Sequence, residues 1–158
     1  MIKNSKTIGV KDILDLMNTG KISAREYAVD VCEKVKQHEH LNSIKSFNRD
    51  FLLDSAQAAD QKRQIGDGGI LCGIPFIAKD NINSKAFPTT ACTTALMHNK
   101  TGSDAPAIEL LRNEDAILGA KANMHELAFG ITSNNIVTGP VRNPRNHEKI
   151  AGGSSGGT

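Results

Sequence analysis

No stretch of this sequence approaches the ~20 apolar residues of a membrane-spanning helix, so no span is expected. The start, Met1-Ile2-Lys3-Asn4-Ser5-Lys6, has no apolar run after its basic residues and shows no secretory signal. Cysteine is scarce. Cys32, Cys72 and Cys92 are odd in number and widely spaced, which speaks against a disulfide framework or a cysteine-built metal site. Each reads as a small packed hydrophobe. The cytoplasm, where thiols stay reduced, is the expected compartment. An excess of one charge is missing as well: 19 Lys and Arg against 17 Asp and Glu leave a net charge of +2. The basic residues are scattered, so the footprint of a dedicated nucleic-acid binder is absent. Tryptophan does not occur, and aromatic residues reach only 4%. No internal repeat and no linker interrupts the chain.

What is there has the size and balance of one globular domain: 158 residues, 39% hydrophobic and 23% charged. Val10, Ile13, Leu14 and Met17 repeat at helical spacing, and Gly20 is placed to close that helix. Ser23-Ala24-Arg25-Glu26 has the form of a capping box. Behind it Ala28, Val31, Cys32 and Val35 continue an apolar stripe. Two short amphipathic helices, joined by a turn, form a hairpin suited to packing on something else. His38-Glu39-His40 follows. Two histidines one residue apart can ligate a metal, but no further ligand is in place, and the segment reads as a solvated helix end. A third helix is expected from near Asp50 to Gln64, ended by Gly66-Asp67-Gly68-Gly69.

The character changes at Ile70. Ile74 to Ala78 is a short apolar run that reads as a buried strand, with Lys79-Asp80-Asn81 at its end. Asp104-Ala105-Pro106 starts a helix, with Asp104 as cap and Pro106 in the first turn. Ile108, Leu111, Ala107 and Leu110 are expected to face inward. Ala116 to Ala120 reads as a second buried strand. Strand, helix, strand in that order predicts an α/β unit with parallel strands.

Lys79 and the closing run Gly152-Gly153-Ser154-Ser155-Gly156-Gly157-Thr158 carry the chemical interest. A lysine serves as a base only when neutral, and burial disfavours its charged form. Lys79 alone reads equally as a surface lysine at a strand end or as a partner of Asp80. Glycines around two serines let backbone N–H groups converge on an anion or oxyanion. By itself such a run is also a flexible tail or a phosphate loop, although the Walker pattern is absent.

Together the two segments resemble the amidase signature family, whose members cleave amides with a Ser–Ser–Lys triad. The resemblance rests on Gly73-Ile74-Pro75 with Lys79-Asp80-Asn81, on Thr89-Thr90 and on Asp104-Ala105. It continues through the stretch from Lys121 to Asn135, then Gly139-Pro140-Val141-Arg142-Asn143-Pro144, and ends in the glycine–serine run. The segment Met124 to Asn135 and Thr158 are most like indoleacetamide-hydrolase-like members, and the A subunits of glutamyl-tRNA amidotransferases come next. The resemblance implies the N-terminal part of an α/β/α sandwich with a mixed central sheet. Residues 1–69 would be a helical segment and 70–158 the start of the catalytic core, together one incomplete domain.

The resemblance also implies roles. Lys79 would be the general base. Ser154, after a cis peptide, would relay a proton between Lys79 and the nucleophile, with Ser155 in support. Gly130, Ile131, Gly152 and Gly153 would line the substrate site, and Asp80 and Asn123 would fix the loops around Lys79. The substrate would be a small amide such as indole-3-acetamide, with no metal and no organic cofactor needed. The family's attacking serine lies in a later Asp-x-Gly-Gly-Ser-type loop, and no serine follows Ser155. The chain is therefore expected to be inactive alone, with Ser154-Ser155 poorly held. Uncovered strand edges would favour a homo-oligomer or a complementary fragment. Rival readings are the A subunit of an amidotransferase, a decayed gene product or binding module, and a minimal dyad with Ser154 or Ser155 as nucleophile. Asp115, where the family usually has glycine, is a departure.

Overall fold

The computed structural model describes residues 8–158. Residues 1–7, on which the reading of the chain's start falls, lie outside the described residues. Helix α1 (Val10–Asn18) buries Ile13 and Met17, while Val10 in its first turn stays exposed. Gly20, at φ 67°, turns the chain out of the helix. Helix α2 (Ala24–Gln37) begins with the predicted capping box. Glu26 N donates to Ser23 Oγ at 3.0 Å, and Ser23 N donates to Glu26 Oε2 at 2.8 Å. Two further N–H groups of this helix start, those of Ala24 and Arg25, donate to the Asp60 carboxylate at 2.7 and 3.0 Å. Asp60 belongs to helix α3 (Arg49–Gln64), so the cap also ties α2 to α3.

Strand β2 follows as Pro75–Lys79, helix α4 as Pro106–Asn113 and strand β3 as Ile117–Ala122. The parallel pairing of β2 with β3 is the predicted α/β unit. A further strand, β1 (Ile44–Phe47), lies between α2 and α3 in the segment expected to be helical. It pairs antiparallel with the other side of β3, giving the order β1-β3-β2 and a mixed sheet. A short antiparallel pair, β4 (Asn134–Asn135) and β5 (Gly139–Pro140), closes a hairpin near the end of the chain.

All six residues of β3 are buried, which makes it the axis of the fold. Successive strand residues point to opposite faces. Ile117 accordingly joins the main core with Ile13, Met17, Ala28, Leu52, Ala56 and Ile74, and Leu118 joins Ala78, Phe87 and Ile108. Small residues on α2 and α3 bring the helices close. Gly73 continues this packing, because a Cβ there would fall 2.6 Å from that of Ala24. The three cysteines are free and buried, as packed hydrophobes are. No helix of the described residues is long and apolar enough to cross a membrane.

Two local expectations change. Asp104 does not cap α4. Ala105 holds the cap position, and the Asp104 carboxylate instead accepts Lys85 N at 2.6 Å and Arg112 Nη1 at 2.5 Å. It crosslinks a loop to the far end of the helix, a use of charge that a capping pattern does not reveal. On α4 only Ile108 is fully buried and Leu111 partly so, while Ala107 and Leu110 face solvent. A helix of eight residues with a single covered face has room for no more. Asp115 adopts φ 59°, the left-handed conformation that glycine takes most easily. Its carboxylate holds Lys62 Nζ at 2.5 Å and Gly69 N at 2.9 Å, contacts that glycine would lack.

Candidate active site

Lys79 is the last residue of β2, opposite Ala122 of β3. It is partly buried. The chain then turns: Ile82 N donates to Lys79 O at 3.0 Å, and Asp80 N donates to Ala122 O at 3.1 Å. The Lys79 side chain reaches the glycine–serine loop, where Nζ donates to Ser154 Oγ at 2.6 Å. Lys79 therefore pairs with Ser154 rather than with Asp80. The peptide between Gly153 and Ser154 is cis.

The loop is held by residues of this same chain, contrary to the expectation that Ser154-Ser155 would be loose. His125 N donates to Ser154 O, Gly156 N to Ser133 Oγ and Gly157 N to Asn123 O, each at 3.0 Å. The brace comes from the segment after β3, not from later elements. Glycine is needed here for closeness. A Cβ at Gly156 would lie 2.4 Å from Ser133 Oγ, and one at Gly157 would lie 2.1 Å from Ser43 O. Gly152, with open space around it, is required instead by its φ of 90°.

The other expected site residues gather less tightly. Ser155 is exposed, and its carbonyl, not its hydroxyl, accepts Thr158 N at 3.2 Å and Thr158 Oγ1 at 2.7 Å. Ile131 adjoins the loop, its carbonyl carbon 2.9 Å from the Cβ position of Gly153, and its side chain is 78% exposed. Gly130 backs onto the His125 imidazole, which a Cβ would meet at 2.3 Å.

Beneath Lys79 lies a buried polar layer. Asp80 is fully buried; its Oδ2 accepts Thr90 N at 3.2 Å, Cys92 N at 3.1 Å and the Thr90 hydroxyl. Asn123 Oδ1 accepts the Thr138 hydroxyl at 2.8 Å, while its Nδ2 donates to Asn42 O at 2.9 Å. These two residues fix the loops around the lysine. Cys92 packs beside them, and burial, with the nearby Asp80 charge, pushes its thiol up to about 11.

Lys121 is the surprise of the layer. The strand expected to end at Ala120 runs on to Ala122 and takes this lysine with it. It is fully buried, and burial pulls its amine below the usual lysine value. The available signal was its position: like Lys79, it follows an apolar strand run. His125 and Ser133 carried no comparable signal, since one acts through its backbone N–H and the other as an acceptor for a glycine. Among the described residues no group of three or more His, Cys, Asp or Glu side chains is arranged to hold a metal ion.

A strand-end lysine bonded to a serine in a glycine-braced loop, on a mixed sheet flanked by helices, is the arrangement that the resemblance in sequence implies. The chain belongs to the Amidase family, which it matches over residues 26–158. It is 46% identical to an indoleacetamide hydrolase of Agrobacterium tumefaciens over 126 residues, 80% of this chain and 26% of that one. It is 32% identical to the A subunit of the glutamyl-tRNA(Gln) amidotransferase from Halorhodospira halophila over 150 residues, 94% of this chain and 31% of that one. A crystal structure of an amidase superimposes with a TM-score of 0.89 at 34% identity, covering 95% of this chain and 35% of that one. The chain thus spans a third or less of the length of the hydrolase and the amidotransferase chain.

Proposed function

We propose that this chain supplies the base and the relay of a hydrolase that converts a small primary amide, such as indole-3-acetamide, to its acid and ammonia. The observation that carries this reading is the 2.6 Å contact between Lys79 Nζ and Ser154 Oγ. With the amine neutral, Ser154 passes its proton to Nζ while taking one from an attacking serine hydroxyl. The attacking oxygen adds to the amide carbonyl, the tetrahedral intermediate collapses, and the leaving nitrogen takes the proton back as ammonia departs. Water then cleaves the acyl-enzyme by the reverse route. In this reading the attacking serine comes from a family loop outside these 158 residues. Gly152, Gly153, Gly130 and Ile131 border the acyl group, Ser155 supports the loop, and the cytoplasm is the site of action.

Ammonia release from indole-3-acetamide and benzamide tests this in the polypeptide that contains the chain. Turnover should fall by about 10² to 10⁴ with Ser154→Ala and stay negligible for the 158 residues alone. Robust turnover by the 158 residues alone, lost with Ser154→Ala, would overturn the three-residue relay in favour of a dyad. The 32% identity to the amidotransferase chain supports a second reading. There, glutamine would be the ammonia donor and a partner protein would co-purify.

A further inference from the structure

Lys121 heads the fully buried side chains by volume, yet it forms no ion pair among the described residues. Its Nζ donates to Ile82 O at 2.6 Å. Thr89 Oγ1 at 3.3 Å, Asp80 O at 3.4 Å and Pro88 O at 3.5 Å complete its surroundings. Asp80 and Ile82 belong to the turn that begins at Lys79, closed by the bond from Ile82 N to Lys79 O.

We propose that Lys121 is a positioning residue for the Lys79–Ser154 pair, its amine pinning the turn through which Lys79 leaves the sheet. The inference rests on the hydrolytic reading above for its meaning, though not for its geometry. The amine is well placed for this. Lys121 sits on β3, beside Ala122, the register partner of Lys79, so the lysine that reacts and the lysine that braces share one rigid frame. Asp80 acts from the other direction, gathering the amides of Thr90 and Cys92. Lys121 collects carbonyls and Asp80 collects N–H groups, and between them the loop from 80 to 92 is fastened at both ends. An apolar side chain in place of the amine would take a donor away from the oxygens of Asp80, Ile82, Pro88 and Thr89. Lys121 has no exposed surface through which to meet substrate, so its influence passes through Lys79.

The test reads Lys79 directly. Acetic anhydride labels the full chain between about pH 6 and pH 10, and peptide mapping gives the rate at Lys79 relative to exposed Lys36. In Lys121→Met, Lys79 labelling should rise roughly tenfold as the turn loosens. Thr89→Val, a milder change, removes one acceptor of the amine together with the bond from the Thr89 hydroxyl to Ile82 O at 3.3 Å, and should raise it by about threefold. Thr89→Val alone decides if Lys121→Met does not fold. A folded variant whose Lys79 labels as in the parent overturns the proposal, even if its unfolding midpoint drops. In the whole enzyme, Lys121→Met should lower kcat with KM within about twofold of the parent. Absence of amide turnover in the parent defeats the hydrolytic reading only, and the labelling ratio then decides the role of Lys121.

Discussion

Lys79 Nζ and Ser154 Oγ, 75 positions apart in sequence, are joined by a hydrogen bond of 2.6 Å. Groups that act as one unit are not additive when removed. On the proposed hydrolytic reading, Lys79→Met and Ser154→Ala should each reduce amide turnover by about 10² to 10⁴. The double variant should be no worse than the poorer single one. Multiplied losses in steady-state kinetics would show two independent groups.

The closeness of the glycine loop sets a second expectation. A Cβ at Gly157 would meet Ser43 O at 2.1 Å and Asn123 O at 2.7 Å, whereas one at Gly102 meets nothing within 4 Å. Gly157→Ala should therefore destabilise by about 1–3 kcal/mol, since overpacking displaces backbone. Gly102→Ala should stay within about 0.5 kcal/mol of the parent. Urea unfolding of the two variants measures the contrast.

Asp104 gives a pH dependence. Burial opposes its ionisation, but the Lys85 amide and the Arg112 guanidinium outweigh it and hold the carboxyl below its usual value. A carboxyl whose folded pKa lies below its unfolded one stabilises fully above the unfolded value of about 4, and the gain is lost as pH falls through the folded value. Asp104→Asn should be less stable by about 1.5–3 kcal/mol at neutral pH. The gap to the parent should close in the acid limb, as denaturant midpoints against pH would record.

Asp115 tests the tolerance of a left-handed position. At φ 59°, a β-branched side chain is strained and glycine is not. Asp115→Gly trades the Lys62 and Gly69 contacts for backbone relief and should change stability by less than about 1 kcal/mol. Asp115→Val loses both and should fall by about 1–3 kcal/mol. Equal thermal midpoints for the two variants would contradict this.

With its thiol pushed up to about 11, Cys92 should be nearly inert in the native state. At pH 8 the thiolate fraction is on the order of 10⁻³, and burial blocks approach. Dithionitrobenzoate should titrate the thiols only on unfolding, with Cys92 the slowest in mass mapping. Prompt native labelling of Cys92 would show that the layer under Lys79 opens readily.

The elements that position the site were legible where a local rule acts alone. The stripe of α1, the Ser23–Glu26 box and the apolar runs leading to Lys79 and Ala120 each follow from spacing. The glycine–serine loop was legible as a motif. β1 was not: Ile44-Lys45-Ser46-Phe47 is four residues long, partly buried throughout, and without alternation. Only its pairing with β3 makes it a strand. Lys121 was missed for a related reason. A lysine ends an apolar pattern unless the backbone carbonyls that will surround its amine are known, and these come from residues 80 to 88. Asp104 matched a capping pattern, but tertiary partners claimed its carboxylate.

The contact between Ser43 and Gly157 has a temporal side. Ser43 O accepts Asn123 N at 2.8 Å and also abuts Gly157, so three distant stretches meet at one carbonyl. Synthesis at ~5–20 residues per second places the arrival of Gly157 on the order of ten seconds after that of Ser43. Over that interval the carbonyl lacks Gly157, and Lys79 is made 75 residues before Ser154, its partner. A released chain ending ahead of Gly152 should therefore carry the sheet with Lys79 lacking its bond to Ser154, readable by the same amine labelling.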